Sequence, residues 1–212
     1  MQATDTYEIL GLTVSIYADE DCTSPREWDN ASVILGSHRN YTIGDGEPEG
    51  RQAEAIERGG VRLLSRYLRM CEGAVAFTTV GMLDHSGVTF YAGGGAHNCD
   101  PGGWDSGTVG YAYVTRARAD ELGVDDPEAA MLAELAEYAR WAEGDCYGYI
   151  ITDPDGDTVD SCWGFIGHEY AVEEATATAR SLAWDECYVP ELPVGETLAA
   201  LSTAGGTGRG TR

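Results

Sequence analysis

The chain has 212 residues, with 36 acidic and 13 basic side chains and a formal net charge of −23 at pH 7. That balance argues against direct binding to DNA, RNA or anionic lipid, which depends on clustered Lys and Arg against phosphate; lysine is absent, and all 13 basic residues are arginine. At 43% hydrophobic residues the composition is that of a folded chain rather than an acidic disordered tail, and a chain this long can bury roughly 70% of its unfolded surface in one core.

Tyr7 to Ala18 (YEILGLTVSIYA) is rich in β-branched and aromatic residues and reads as a first strand, ended by Asp19-Glu20-Asp21. Pro25 to Asn30 is turn chemistry, Ser32 to Ser37 is a second strand, and Asn40 to Gly50 is loop, so the first fifty residues suggest a β-meander. Glu49 to Glu72 reads as a helix. At 100° per residue, Arg51, Arg58, Arg62, Arg66 and Arg69 fall in one sector of about 80°, opposite Ile56, Leu63, Leu64, Tyr67, Leu68 and Met70. Gly59-Gly60 can split this helix and shift its phase.

Ala74 to Gly81 and Val88 to Ala92 flank the turn Asp84-His85-Ser86-Gly87 and predict a hairpin. Gly93 to Gly103 is a glycine-rich loop without the following Lys of a P-loop, and Thr108 to Thr115 alternates as another strand. Asp125-Asp126-Pro127-Glu128 starts a helix that Gly144 stops, with Met131, Leu135, Tyr138 and Ala142 as its buried stripe. Cys146 to Thr152 and Thr158 to Ile166 are strands joined by Asp153 to Asp157. A last helix covers about His168 to Ala183, and Ser202 to Arg212 is small, polar and flexible. Together these elements predict an α+β fold: a mostly antiparallel sheet covered by about three helices in a single compact domain over 1–184, with a C-terminal extension over 185–212.

No cofactor is called for. Asp153-x-Asp155-x-Asp157 resembles a calcium loop in spacing only, since the sixth and twelfth places hold Thr158 and Gly164 instead of Gly and Glu. The six cysteines form no Cys-x-x-Cys pair, so reduced thiols are expected. His97, Cys99 and His85 supply at most three metal ligands where structural zinc normally takes four, so no metal is assigned. Met1 to Leu10 lacks the basic start and apolar run of a signal peptide, which makes a cytoplasmic location the expectation.

Two phrases stand out: Pro25 to Val33 and Pro101 to Val109 both read P-x-x-W-D-[N/S]-x-[S/T]-V, and Asp160-Ser161-Cys162-Trp163 echoes them. In one reading each tryptophan anchors the start of a strand to the sheet while Asp and its neighbour cap local backbone. In the other, Trp28, Asp29, Asn30, Asp84, His85, Ser86, Trp104, Asp105, Ser106, Asp160 and Trp163 line one ligand pocket.

The phrases SPREWDN (Ser24–Asn30), YTIGD (Tyr41–Asp45), DHSG (Asp84–Gly87), WDSGTVGYAYVT (Trp104–Thr115), GDCYGYI (Gly144–Ile150) and DSCWGF (Asp160–Phe165) resemble those of an uncharacterised family of acidic proteins carried by bacteriophages, plasmids and other mobile elements. The resemblance spans most of Thr13 to Leu182 and implies a context rather than a chemistry.

Three functions are compatible with these features. The first is an accessory protein that binds a host protein, including one that handles nucleic acid, by presenting carboxylates in place of phosphates. Spread evenly, 23 charges on about 9,500 Å² of surface give about one per 410 Å², against roughly one per 110 Å² on B-DNA, so DNA mimicry requires the acids to gather on one face. The second is a ligand- or metal-binding domain or hydrolase-like enzyme built on the Trp-Asp and Asp-His-Ser motifs; its polar groups must meet in space, with His85 near Asp29 or Asp105. The third is an acidic scaffold without a ligand.

Overall fold

The computed structural model describes residues 2–184. The C-terminal extension over 185–212 lies outside the described residues. The described residues form an α+β fold with two antiparallel four-stranded sheets and four α-helices. Two compact units make it up, one from Met1–Tyr17, Gly148–Cys162 and the chain from Glu169, the other from Ala18–Tyr147 and Trp163–His168.

The first sheet runs β1(Asp5–Ile9), β2(Leu12–Ala18), β7(Cys146–Thr152), β8(Thr158–Ile166). The single strand expected over Tyr7–Ala18 is therefore a hairpin. Leu10 and Gly11 both take positive φ (51° and 89°), the backbone of a tight two-residue turn, and Asp5 pairs with Ile16 across it. Leu12, Val14 and Ile16 alternate inward and are fully buried. Helix α4(His168–Trp184) carries Ala171, Ala175, Ala179 and Ala183 on its buried stripe, small enough for close approach to a sheet. Tyr7 Oη donates to the Val172 carbonyl at 3.3 Å, and Tyr149 Oη lies 3.3 Å from Thr178 Oγ1, so tyrosines from β1 and β7 hold the helix.

The second sheet has the order β3(Ser32–Gly36), β6(Ser106–Thr115), β4(Ala74–Asp84), β5(Val88–Ala92). Strand β3 pairs with β6 rather than with β2, which overturns the expected meander: β1–β2 and β3 belong to different sheets. Both faces of this sheet are covered. Ile34, Val80, Met82, Ala112 and Val114 pack with Met131, Leu135 and Tyr138 of α3(Pro127–Ala142). Tyr111 and Tyr113, one residue out of phase on β6 and so on the other face, pack with Ala55 and Leu64 of α1(Gly50–Tyr67) and with Leu68 of the π-helical turn Leu68–Glu72. The short helix α2(Arg116–Leu122), capped by the Thr115 hydroxyl, follows β6 and was not evident from periodicity. Helix α3 starts as its sequence indicates, with Asp126 accepting from the Ala129 N–H and Pro127 in the first turn.

Gly60 breaks α1 with φ 60° and ψ −158°, a conformation open essentially to glycine. The five arginines Arg51, Arg58, Arg62, Arg66 and Arg69 are all exposed, as the sector arithmetic predicts. The expected apolar face holds only in part. Leu64 and Leu68 are buried, whereas Leu63 and Met70 face solvent, because the break and the π-turn rotate the helix between them.

One polar knot ties this unit together. The Arg26 side chain is 5% exposed; its Nε and Nη2 donate to the two Asp45 carboxylate oxygens at 3.0 and 2.9 Å, and Nη2 also donates to the Ser32 carbonyl at 2.6 Å. Its Nη1 makes no hydrogen bond and lies 3.6 Å from Glu134 Oε2. Glu134, on α3, accepts from the N–H groups of Ala31 and Ser32 and from the Ser32 hydroxyl. Burial, then the neighbouring Glu134, raises the Glu137 carboxyl above its usual range.

Arg26→Met is expected to cost about 2–3 kcal/mol in urea unfolding, because it removes the charged donors from Asp45 and the Ser32 carbonyl; a loss below about 1 kcal/mol contradicts the role of the knot. Gly60→Ala is expected to destabilise by about 1–3 kcal/mol, although the added methyl meets nothing within 4 Å. In a continuous helix the same change stabilises by about 1 kcal/mol, so the sign of the shift tests the break.

Candidate functional site

Strands β4 and β5 and the start of β6 converge at one end of the second sheet. Asp84 N–H donates to the Asp105 carbonyl at 2.8 Å, bringing the hairpin tip against the second Trp-Asp phrase. The turn is tight: His85 N–H donates to the Gly87 carbonyl at 3.0 Å, and Ser86 takes φ 61°.

The glycine-rich loop before β6 is organised by Asp100. Its Oδ2 accepts from the Asp105 N–H and the Ser106 hydroxyl, both at 2.8 Å, and Ser106 Oγ in turn accepts from the His97 N–H at 2.9 Å. These bonds, the Asp105 N–H first, hold the Asp100 carboxyl below its usual range. Gly102 permits the local path, since a Cβ there would stand 2.6 Å from the Trp104 ring.

His85 Nδ1 and Asp105 Oδ2 are 2.9 Å apart, within direct hydrogen-bond reach. Tyr41 Oη donates to Asp84 Oδ2 at 3.2 Å, and its ring stacks on His38 with centroids 5.1 Å apart. Burial and the Asp84 carboxylate raise the Tyr41 hydroxyl pKa, so it stays a donor. An open cleft of about 300 Å³ lies here, lined by His38, Arg39, Asp84, Trp104, Asp105 and Ser106 among others. The pieces suit recognition of a polar group beside an aromatic platform. They do not form a hydrolytic triad, because the Ser106 hydroxyl is engaged by Asp100 and the His97 N–H.

The structure thus brings together Asp84, His85, Trp104, Asp105 and Ser106, with Ser86 in the adjoining turn. It does not bring them to Trp28, Asp29 and Asn30. Strand β3 runs antiparallel to β6, with Ser32 opposite Val114, so the two Trp-Asp phrases start their strands from opposite ends of the sheet, about 27 Å apart along β6. At the far end, Asn30 Nδ2 donates to the carbonyls of Pro25 and Trp28, its own carbonyl accepts from Arg118 Nε, and Asp29 accepts from Arg118 Nη2 at 3.3 Å. Asp160 belongs to the first unit and accepts from Tyr149 Oη at 2.9 Å. The single shared pocket is therefore not formed.

The anchoring reading fails at Trp104, which is 90% exposed, whereas Trp28 and Trp163, 48% and 40% exposed, have about half or more of their surface covered and Asn30 caps the local backbone. His38, Arg39 and Tyr41 were not legible as site residues; they come from a loop returned to the sheet by the Leu35–Gly44 bridge and by Asp45, which accepts from the Ile34 N–H at 2.8 Å. Among the described residues no three of His, Cys, Asp and Glu are placed to hold a metal ion. Among them, too, no helix is long and apolar enough to cross a membrane.

Trp104→Ala is expected to change unfolding free energy by under about 0.5 kcal/mol, as a solvent-facing ring predicts. A loss above about 2 kcal/mol restores the anchoring role.

The chain matches no protein-family model, no curated protein and no solved structure.

Proposed function

We propose that the protein is a non-enzymatic accessory protein of a phage or other mobile element that docks its acidic surface onto a host protein whose own surface is built for nucleic acid. The observation that supports this reading is a difference in charge between the two helical layers of the second sheet. Five exposed arginines line the layer on one face, at α1 and its π-turn, with the exposed Glu54 and Glu57 among them. The layer on the other face, from α2 through α3, exposes Asp120, Glu121, Asp125, Asp126, Glu128 and Glu143 against Arg116 and Arg140 and is net acidic.

Such a gathering of carboxylates is what mimicry requires and what an even coat lacks. Four of the six, Asp120, Glu121, Asp125 and Asp126, fall within seven residues between the end of α2 and the start of α3, which concentrates charge there. Leu122 and Leu132, exposed in the same layer, add apolar contact of the kind that gives an interface its affinity.

The hairpin cleft supports a second reading, a ligand-binding domain. The paired His85 and Asp105 and the exposed Trp104 favour it, while the engaged Ser106 hydroxyl counts against hydrolysis.

The test is capture of partners from host lysate on the immobilised protein at low and high salt, with duplex DNA as competitor. The mimicry reading expects a basic nucleic-acid-binding protein that elutes as salt rises, is displaced by DNA, and is lost from the variant D120N/E121Q/D125N/E128Q, which spares the capping Asp126. Retention by that variant, or indifference to DNA, overturns it. Loss of capture in Trp104→Ala with the acidic variant unaffected favours the cleft.

A further inference from the structure

Cys22 and Cys146 differ from the other described cysteines in lining one cavity together. Cys71, Cys99 and Cys162 are exposed, whereas Cys22 is half-buried and Cys146 is buried. The Asp19 N–H donates to the Cys146 carbonyl at 2.9 Å, which fixes the chain leaving β2 beside the start of β7. The turn that follows, closed by the Asp21 N–H on Asp19 Oδ1 at 3.1 Å, brings Cys22 back over that point. The Cys22 thiol lies 3.6 Å from the Thr23 carbonyl, and it and the Cys146 thiol are near enough for each to shift the other's titration. Trp141 clamps the turn from α3, its indole N–H donating to the Cys22 carbonyl at 2.9 Å.

Both thiols line a cavity of about 490 Å³ whose walls include Tyr41, Phe90, Tyr138 and Trp141. Three of these rings form a continuous stack: Phe90 on Tyr138 at 4.8 Å and Tyr138 on Trp141 at 5.7 Å. The cavity therefore joins solvent to a held pair of thiols. A pair of cysteines lining one cavity, far apart in sequence and reached through an opening, has the arrangement that thiol–disulfide exchange needs.

We propose that Cys22 and Cys146 form an oxidisable dithiol that a small organic disulfide, such as oxidised glutathione, closes into an internal bridge. The Cys22 thiolate attacks the reagent's S–S bond, forming a mixed disulfide and releasing one thiol, which takes up a proton. The Cys146 thiolate then attacks the Cys22 sulfur and displaces the second thiol. Two protein thiols are oxidised and one reagent disulfide is reduced to two thiols, so electrons and protons balance.

The surroundings set the pace of this reaction. Burial raises the Cys22 thiol above its usual range, with the Asp19 carboxylate adding to it, and burial together with Cys22, Asp19 and Asp145 pushes Cys146 up to about 12. At neutral pH the pair is held almost wholly as thiols. Only the thiolate attacks, so bridge formation is expected to accelerate about tenfold per unit of pH between 7 and 9.

The experiment incubates the native chain with oxidised glutathione, blocks remaining thiols by alkylation and maps cysteine peptides by mass. The expected result is a linked Cys22–Cys146 peptide pair without glutathione on either residue, while Cys71 and Cys99 carry glutathione adducts. Cys22→Ser abolishes the link and leaves Cys146 alkylatable after unfolding. The bridge spans 124 residues of sequence, so the oxidised chain is expected to melt higher by at least about 5 °C. Separate adducts on Cys22 and Cys146, or recovery of both as free thiols while Cys71 and Cys99 react, overturns the proposal. Cys146→Ala, read by the same mapping, keeps the test intact if the serine variant does not fold.

Discussion

Arg26 is the charge on which the second unit turns. A guanidinium that is 5% exposed carries a large desolvation cost, which is offset only if its carboxylates are held in place. Meeting that condition fixes three separate pieces of chain. Asp45 is drawn in from the loop after β3, Glu134 is directed inward from α3 toward Nη1, which makes no hydrogen bond, and the Ser32 carbonyl at the start of β3 accepts from Nη2. Glu134 closes the knot by accepting from the first two backbone N–H groups of the β3 region, so the strand's position on the sheet and the helix's position over it are set by one carboxylate. The His38–Tyr41 loop, and with it part of the hairpin cleft, follows from where Asp45 is held.

The same sheet explains why an acidic chain has a basic side. A strand buried on both faces sends alternate residues to opposite helical layers, and β6 does this with Tyr111 and Tyr113 toward α1 and Ala112 and Val114 toward α3. The two helices thus cannot share a surface, and the arginines of one stay apart from the carboxylates of the other. On α1 itself, the single ion pair recorded is Arg58 with Glu54 at 2.7 Å, an exposed i,i+4 contact of small energetic weight.

Much of the local structure was legible because its causes are local. Asp126-Pro127 supplies a capping carboxylate and a residue that needs no N–H, and α3 begins there. Asp153 accepts from the N–H groups of Asp155 and Asp157 and its own N–H donates to the Asp157 carbonyl, which makes the acidic run the hairpin turn that its residues indicate. Where the reading failed, a distant partner was responsible. The hairpin at Leu10–Gly11 hides in an apolar run because only pairing reveals that both residues adopt positive φ. The repeated Trp-Asp phrases suggested one pocket because sequence similarity carries no information on strand direction, and antiparallel pairing of β3 with β6 sends them to opposite ends. Arg26 and Asp45 lie inside two of the most distinctive phrases, yet 19 residues of separation conceal that they are partners.

By itself the sequence determined the charge, the kinds of element and most of their limits, since composition, helix caps, turn residues and periodicity act within a few neighbouring residues. It also indicated that the arginines of α1 and its π-turn are exposed. Tertiary structure decided which strands share a sheet and which helix covers which face, and therefore that the arginines of α1 and the carboxylates around the start of α3 lie in opposite layers. It decided too that His85 meets Asp105 and that Cys22 meets Cys146, because such meetings depend on register and on chain return over long separations, which no local pattern encodes.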